Sequence, residues 1–465
     1  MAKLQNKNWY HDVPNQRITL YIVSVLLACL KEHDSYYNRK IRNLMFSITD
    51  VYSARACYSE PDLREGAQKL LAKCIKNTEF LKKTERIMIE RGSQLLNSSR
   101  KVETIKDRSI KSLSVLFKEI YDKYARYFAI VMIPELSIEF VEKDFDEEVK
   151  SLFGKEANKV IDLLSIPRDS FLLREEKELL AISKKPNFRQ LIKEHVKNYF
   201  WLNNNYVDTK YLGEGFFLDK LKSLKLTEEH NMNDKKKFLN SLEGGKYKRL
   251  KTLANMVEFI TFVQDTRKRT AIEASYYINE LLDEMRAKKG LSKEEISLLT
   301  GQELIQLDTI TISGKELIKR KKKIVCYYHD GNYEMRTGDD GCKFEQEIAP
   351  FSISGQTTFF GRPAYRGKLR GAVNVILSVK ELHKLKDKEI LVTSNTTPDY
   401  VPFLKKAKAV ITEKGGITSH AAIISREMKI PCIVGIKHIT LALKTGDEIE
   451  VDAYKGVVKI IKRNT

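Results

Sequence analysis

Residues 412–435, TEKGGITSHAAIISREMKIPCIVG, hold the densest group of side chains able to do chemistry. A β-prone run ending at Thr412 leads into Gly415 and Gly416, and then into a helix expected to begin near His420. Glycines let the backbone take φ > 0 or approach a ligand closely, and Thr418 or Ser419 can cap the helix. The first turn of a helix exposes unpaired N–H groups at the positive end of the dipole, and together these stabilise phosphate. The same field disfavours protonation of an imidazole placed there, which keeps it nucleophilic. The oxygens of a phosphoimidazole would in turn be met by those amides. This spacing therefore suits phosphoryl transfer with His420 as nucleophile. The bland alternative, a capped helix with a solvent-facing histidine, needs the same residues and stays open at this point. A metal centre is not indicated, because no second His, Cys or carboxylate stands at ligand spacing beside His420.

Upstream, His195 and Arg267 are the candidates for an acceptor site. His195 could act as an acid–base group on a hydroxyl, or serve as a hydrogen-bonded structural residue. Arg267 and Arg269 could meet a phosphate or line a salt-bridged helix face. Tyr199 and Trp201 read as core or interface aromatics.

The elements that must position these residues fall into two textures. Residues 16–32, 66–90, 105–130 and 250–288 carry apolar side chains at three- and four-residue spacing, which predicts helices. Residues 231–248, polar and with paired glycines, are expected to contain a loop between helices. Beyond residue 320 the pattern shortens. Residues 323–337 read as strand, turn and strand, and β-prone runs follow at 372–376, 389–393, 409–412, 432–436, 448–451 and 457–461. A helix over 420–429 is stopped by Pro431. The expected architecture is multidomain: a large, mostly α-helical region over 1–322, a hairpin and linker over 323–352, and a C-terminal α/β domain over 353–465.

The chain has 465 residues, more than one hydrophobic core usually serves. Its 82 Lys and Arg against 62 Asp and Glu give a formal charge of +20, which favours anionic partners. The excess is scattered along helices and loops, with no zinc-finger spacing or basic arm, so a solvated face is expected and nucleic acid is not. Six cysteines without a CxxC pair fit free thiols in a reducing compartment. The 13-residue apolar run at 18–30 is too short to span a bilayer, and no signal peptide opens the chain, so a cytoplasmic location without membrane partners is expected.

The 412–435 stretch resembles the phosphohistidine swivelling domain of PEP-utilising enzymes: PEP synthase, pyruvate phosphate dikinase and the rifampin phosphotransferases. Thr412, Gly415, Gly416, Thr418, Ser419, His420, Ala421, Ala422, Arg426, Glu427, Ile430, Pro431 and Gly435 match that signature in order. Residues 361–373, 391–413 and 451–458 resemble its flanking segments. Residues 165–182, 194–206 and 262–304 resemble, more faintly, the helical region of the rifampin-phosphotransferase branch. The resemblance implies that His420 carries the phosphate, that Thr418 orients its imidazole, and that Gly415, Gly416, Ser419 and Arg426 support the phosphate, Arg426 either by charge or by anchoring the helix.

No Gly-rich phosphate loop or ATP-grasp region is recognised ahead of the helices in this sequence, and no PEP/pyruvate barrel is expected after the C-terminal domain. The resemblance therefore implies a phosphotransferase component. A separate ATP-grasp protein would bring ATP and Mg, no cofactor would be held by this chain alone, and a small-molecule acceptor would receive the phosphoryl group. The competing expectation is a non-enzymatic phosphorelay or regulatory protein-binding module.

Overall fold

The structure, a computed structural model, describes the chain except residues 1–8, 12–15, 18, 38–40, 51–52, 225–231, 349–355, 378, 397–399, 417–418 and 465. Gln16–Ile348 lies in one compact unit and Ala349–Thr465 in a second.

Long helices dominate the first unit: Leu20–Tyr37, Glu60–Lys76, Phe80–Arg100, Ile110–Phe153 and Lys248–Lys289. The last buries Leu253, Met256, Val257, Ile260 and Val263, then Ala271, Ala274, Ile278, Leu281 and Met285. That three- and four-residue spacing turns one stripe inward along the whole helix. It stops at Gly290, whose φ of +65° is the left-handed conformation that closes helices. Residues 66–90, read as one helix, belong to two. Asn77 ends the first in an extended conformation, and its side chain accepts from the Glu79 amide at 3.0 Å. Such local bonding by Asn competes with helix continuation. The loop expected within 231–248 lies after the helix Met232–Ser241, around Gly244, and leads into the helix from Lys248.

This unit also holds a six-stranded sheet, of strands β1 (Trp9–His11), β2 (Gln16–Arg17), β3 (Asn43–Asp50), β4 (Ser53–Ser59), β5 (Ile324–His329) and β6 (Asn332–Thr337). Its main order is β1-β4-β3-β5-β6, with β2 pairing β4. The hairpin read at 323–337 is present as β5–β6, but it is not a separate connector. Strand β5 lies antiparallel to β3, Leu44 opposite Tyr328 and Ile48 opposite Ile324. Burying Ile324 to Tyr328 against the helical core locks it there. Within the expected 323–352 segment the helix Gly338–Ile348 follows the hairpin, and residues 349–352 lie outside the described residues.

The second unit is built on an eight-stranded sheet: β7 (Thr358–Phe360), β8 (Arg362–Tyr365), β9 (Lys368–Val375), β10 (Ile390–Thr393), β11 (Ala409–Thr412), β12 (Cys432–Val434), β13 (Glu448–Asp452) and β14 (Val457–Lys462), in the order β7-β14-β13-β9-β10-β11-β12-β8. Strands β9 to β12 are parallel neighbours, and the outer pairs are antiparallel. Parallel strands are covered on both faces and so read as unbroken apolar runs. Ile390, Val392, Ala409, Ile411 and Ile433 enter one core layer, with Ile449, Val451 and Val458. Leu391, Val410, Cys432 and Val434 enter the other, with Leu404, Ala421 and Ala422. The chain is thus a large helical region followed by a C-terminal sheet domain. Among the described residues, no helix is long and apolar enough to cross a membrane.

Candidate functional site

Parallel pairing of β10 with β11 brings their C-terminal ends level, Thr393 opposite Thr412. The loops that leave them are then laced together. The Glu413 amide donates to the Thr393 carbonyl at 3.0 Å, and the Lys414 amide to that of Ser394 at 2.8 Å. A crevice beyond the carboxyl ends of parallel strands is where such sheets take ligands.

The β11 loop turns at Gly415, whose φ is +106° and where a Cβ would stand 2.7 Å from that of Ser419. Only glycine fits this turn. The helix His420–Met428 follows, capped by Ser419, whose hydroxyl accepts from the Ala422 amide at 3.4 Å. Ala421 and Ala422 seat the helix on the sheet, where their small side chains allow close approach. Lys429, at φ +57°, closes it, and Pro431 follows.

His420 is therefore the first helical residue, half-buried, beside exposed backbone donors. Its Nδ1 lies 2.9 Å from the Thr396 hydroxyl in the β10 loop. Thr396 escaped the sequence reading, although it stands within the segment likened to the lead-in of the signature. The only available signal was a polar run, Ser394 to Thr397, directly after an apolar strand; the pairing of β10 with β11 that gives it meaning is not local. Thr418, expected to orient the imidazole, lies outside the described residues, and so does Ile417.

Two groups brace the loops from behind. Glu413 is buried, and its carboxylate accepts from the amides of His438 and Thr440 at 3.0 and 3.3 Å and from the Thr440 hydroxyl. Burial holds its carboxyl above the usual range, against those hydrogen bonds. The Cys432 thiol, under the helix, is pushed up to about 12 by burial, and it stays a neutral packing group.

The other expected site residues lie elsewhere. Arg426 sits in the last turn of the helix, six residues and about 9 Å of rise beyond His420. Its Nε donates to the Ala364 carbonyl of β8 at 3.2 Å, so it ties the helix to the sheet edge. His195 belongs to the first unit, on the helix Phe188–Tyr199, and is 1% exposed. Its Nδ1 is 3.0 Å from Glu178 Oε1 and its Nε2 is 3.0 Å from Glu175 Oε1. Lys220 pairs with the fully buried Glu175, and the Tyr199 hydroxyl donates to Glu178 at 3.0 Å. This cluster pins three helices together. Burial, helped by the negative charge of Glu178, pushes the Tyr199 phenol up to about 12. Arg267, midway along Lys248–Lys289, donates from Nη1 to the Tyr206 hydroxyl at 2.8 Å. Trp201 is fully buried beside Phe171 and Tyr199, in the core role expected of it. No group of three or more metal-ligating side chains is assembled among the described residues.

Residues 385–456 match the family described as PEP-utilising enzyme, mobile domain. The probable phosphoenolpyruvate synthase of Archaeoglobus fulgidus is 45% identical over 114 residues, 24% of this chain and 15% of that protein. The phosphoenolpyruvate synthase of Pyrococcus furiosus is 52% identical over 94 residues, 19% of this chain and 12% of that protein. The chain thus spans 15% or less of the length of these relatives. Among solved structures, an Enzyme I solution structure aligns at 14% identity over 78% of this chain and 80% of that chain, with a TM-score of 0.19, which carries no argument. The matches reach the mobile-domain family as a whole and do not single out the rifampin-phosphotransferase branch. Residues 385–456, which hold His420 and Thr396, are homologous to the mobile domain of PEP-utilising enzymes.

Proposed function

We propose that the chain is a phosphotransferase component that relays a phosphoryl group through His420. One observation carries the reading: a histidine opens a helix while a hydroxyl from the neighbouring strand loop holds its Nδ1. With the Nδ1 proton donated to Thr396, the lone pair for attack lies on Nε2. In loading, an Nε2–P bond forms as a phosphoanhydride P–O bond breaks, and the new phosphate oxygens face first-turn amides. In delivery, an acceptor hydroxyl attacks phosphorus. The Nε2–P bonding pair returns to the ring, and the hydroxyl proton passes to the imidazole or to solvent.

ATP and Mg would be supplied by a separate ATP-grasp protein, and a small hydroxyl-bearing acceptor would be held by the helical unit. Labelled ATP added to the chain with extract of its source cells should give an acid-labile, base-stable label on wild type and none on His420→Ala. A label of undiminished yield on His420→Ala would contradict the relay.

A further inference from the structure

The loop that leaves β10 is held carbonyl by carbonyl. The Thr393 carbonyl accepts from the Glu413 amide at 3.0 Å, and the Ser394 carbonyl from the Lys414 amide at 2.8 Å. The next carbonyl, that of Asn395, is held from within the loop, where the Thr393 hydroxyl donates to it at 3.2 Å. Thr412, opposite Thr393 in the sheet, makes the same bond in its own loop, to the Lys414 carbonyl two residues on at 2.7 Å. The β10 loop adds a tyrosine to this arrangement. The Tyr400 hydroxyl lies 3.2 Å from that of Thr393, and the two residues are 3% and 0% exposed.

A carbonyl only accepts, so the Thr393 proton goes to Asn395, and the Thr393 oxygen takes the proton of Tyr400. The hydrogen bonds then run in one direction, from Tyr400 through Thr393 to the Asn395 carbonyl. That carbonyl shares a planar peptide with the Thr396 nitrogen, so holding its oxygen sets the direction in which Thr396 leaves the loop. Thr396 is itself buried, and its hydroxyl ends 2.9 Å from His420 Nδ1. Tyr400 reaches Thr393 from the far end of the same loop, just before the short helix Val401–Leu404. Its ring lies in the core layer that also takes Leu391, Leu404, Ala421 and Ala422, so it is anchored where the His420 helix is seated.

We propose that Tyr400 is a positioning residue for the relay: its phenol, acting through Thr393 and the Asn395 peptide, aims the Thr396 hydroxyl at the His420 imidazole. The proposal rests on the reading of His420 as the nucleophile and extends it to a group that acts on the ring only through Thr396.

The test compares four full chains, wild type, Tyr400→Phe, Thr396→Val and the double variant, in their rate of labelling at His420 by phosphoramidate. Tyr400→Phe keeps the buried ring and removes only its hydroxyl, and a cooperative melting transition checks that each chain is folded. Tyr400→Phe should slow labelling about threefold, whereas adding it to Thr396→Val should slow it no further, because the route from phenol to imidazole is already cut. Equal slowing in both backgrounds would mean that Tyr400 only supports the domain, and it would overturn the proposal. A Tyr400→Phe rate equal to wild type would do the same. Nitrogen NMR of the histidine rings gives a second readout that needs no phosphate: Tyr400→Phe should move the His420 ring resonances in the wild-type background and leave them in place in Thr396→Val. Absence of label at His420 in the wild type would sink the relay, whereas His420 resonances unmoved by Tyr400→Phe would sink the positioning role whether or not label forms.

Discussion

His420 and His195 stand in the two units of the chain and share a setting of oxygen partners, yet they are built for opposite ends. At His420 one hydroxyl, Thr396, meets one ring nitrogen at 2.9 Å. A hydroxyl both donates and accepts, so it can hold the ring in either neutral tautomer. At His195 two carboxylate oxygens face the two ring nitrogens, each at 3.0 Å, inside a packed cluster. Neither nitrogen of this 1%-exposed ring faces open space from which it could reach a substrate, and the ring acts as a rivet between helices. A histidine in a polar setting can thus be packed between helices, as His195 is, or open a helix beside a strand loop, as His420 does.

The comparison breaks most visibly by removing the strut. His195→Ala opens a cavity and removes the imidazole from the fully buried Glu175, which keeps only Lys220, and should destabilise the first unit by about 2–4 kcal/mol. In urea unfolding the transition of the helical unit should move while that of the sheet domain stays, and labelling of His420 should persist in native conditions. Next in size is Gly415→Ala. Forcing a side chain into a φ of +106° against Ser419 should cost about 1–3 kcal/mol, read as a lower melting transition of the sheet domain and weaker labelling. Thr396→Val should slow labelling about tenfold while Thr396→Ser retains it, because the hydroxyl positions the ring and does not react. The smallest effect is expected of Arg426→Met. Losing the bond to the Ala364 carbonyl should cost about 0.5–1.5 kcal/mol in chemical denaturation and leave the labelling rate unchanged. A large loss of labelling there would restore Arg426 as a phosphate ligand.

What the sequence discloses divides along the same line. The apolar runs at 389–393, 409–412 and 432–436 became β10, β11 and β12 within about two residues, because buried parallel strands carry their signal locally. The helix from His420 was legible through its cap, its glycines and Pro431. Strands β3 and β4 were not foreseen: β5, the second partner of β3, lies some 280 residues downstream, and runs such as NLMFSITD pass for buried helix by apolar content alone. Thr396 was hidden for the same reason, since the register of β10 against β11 places it at the imidazole. His195 was weighed as a possible acid–base group. Whether its nitrogens are spoken for depends on Glu175 and Glu178, about five turns back across a helix–helix contact that spacing does not reveal.

The central claim is that His420 takes the phosphate, and a small phosphodonor tests this without any partner. The full chain treated with phosphoramidate and digested under alkaline conditions can be mapped by mass spectrometry, histidine by histidine. The account predicts phosphate on His420 well ahead of the other seven histidines, none on His195 in the folded protein, and loss of the rapid label in His420→Ala. Phosphate arriving first at another histidine, or at unchanged rate on the His420→Ala chain, would contradict it.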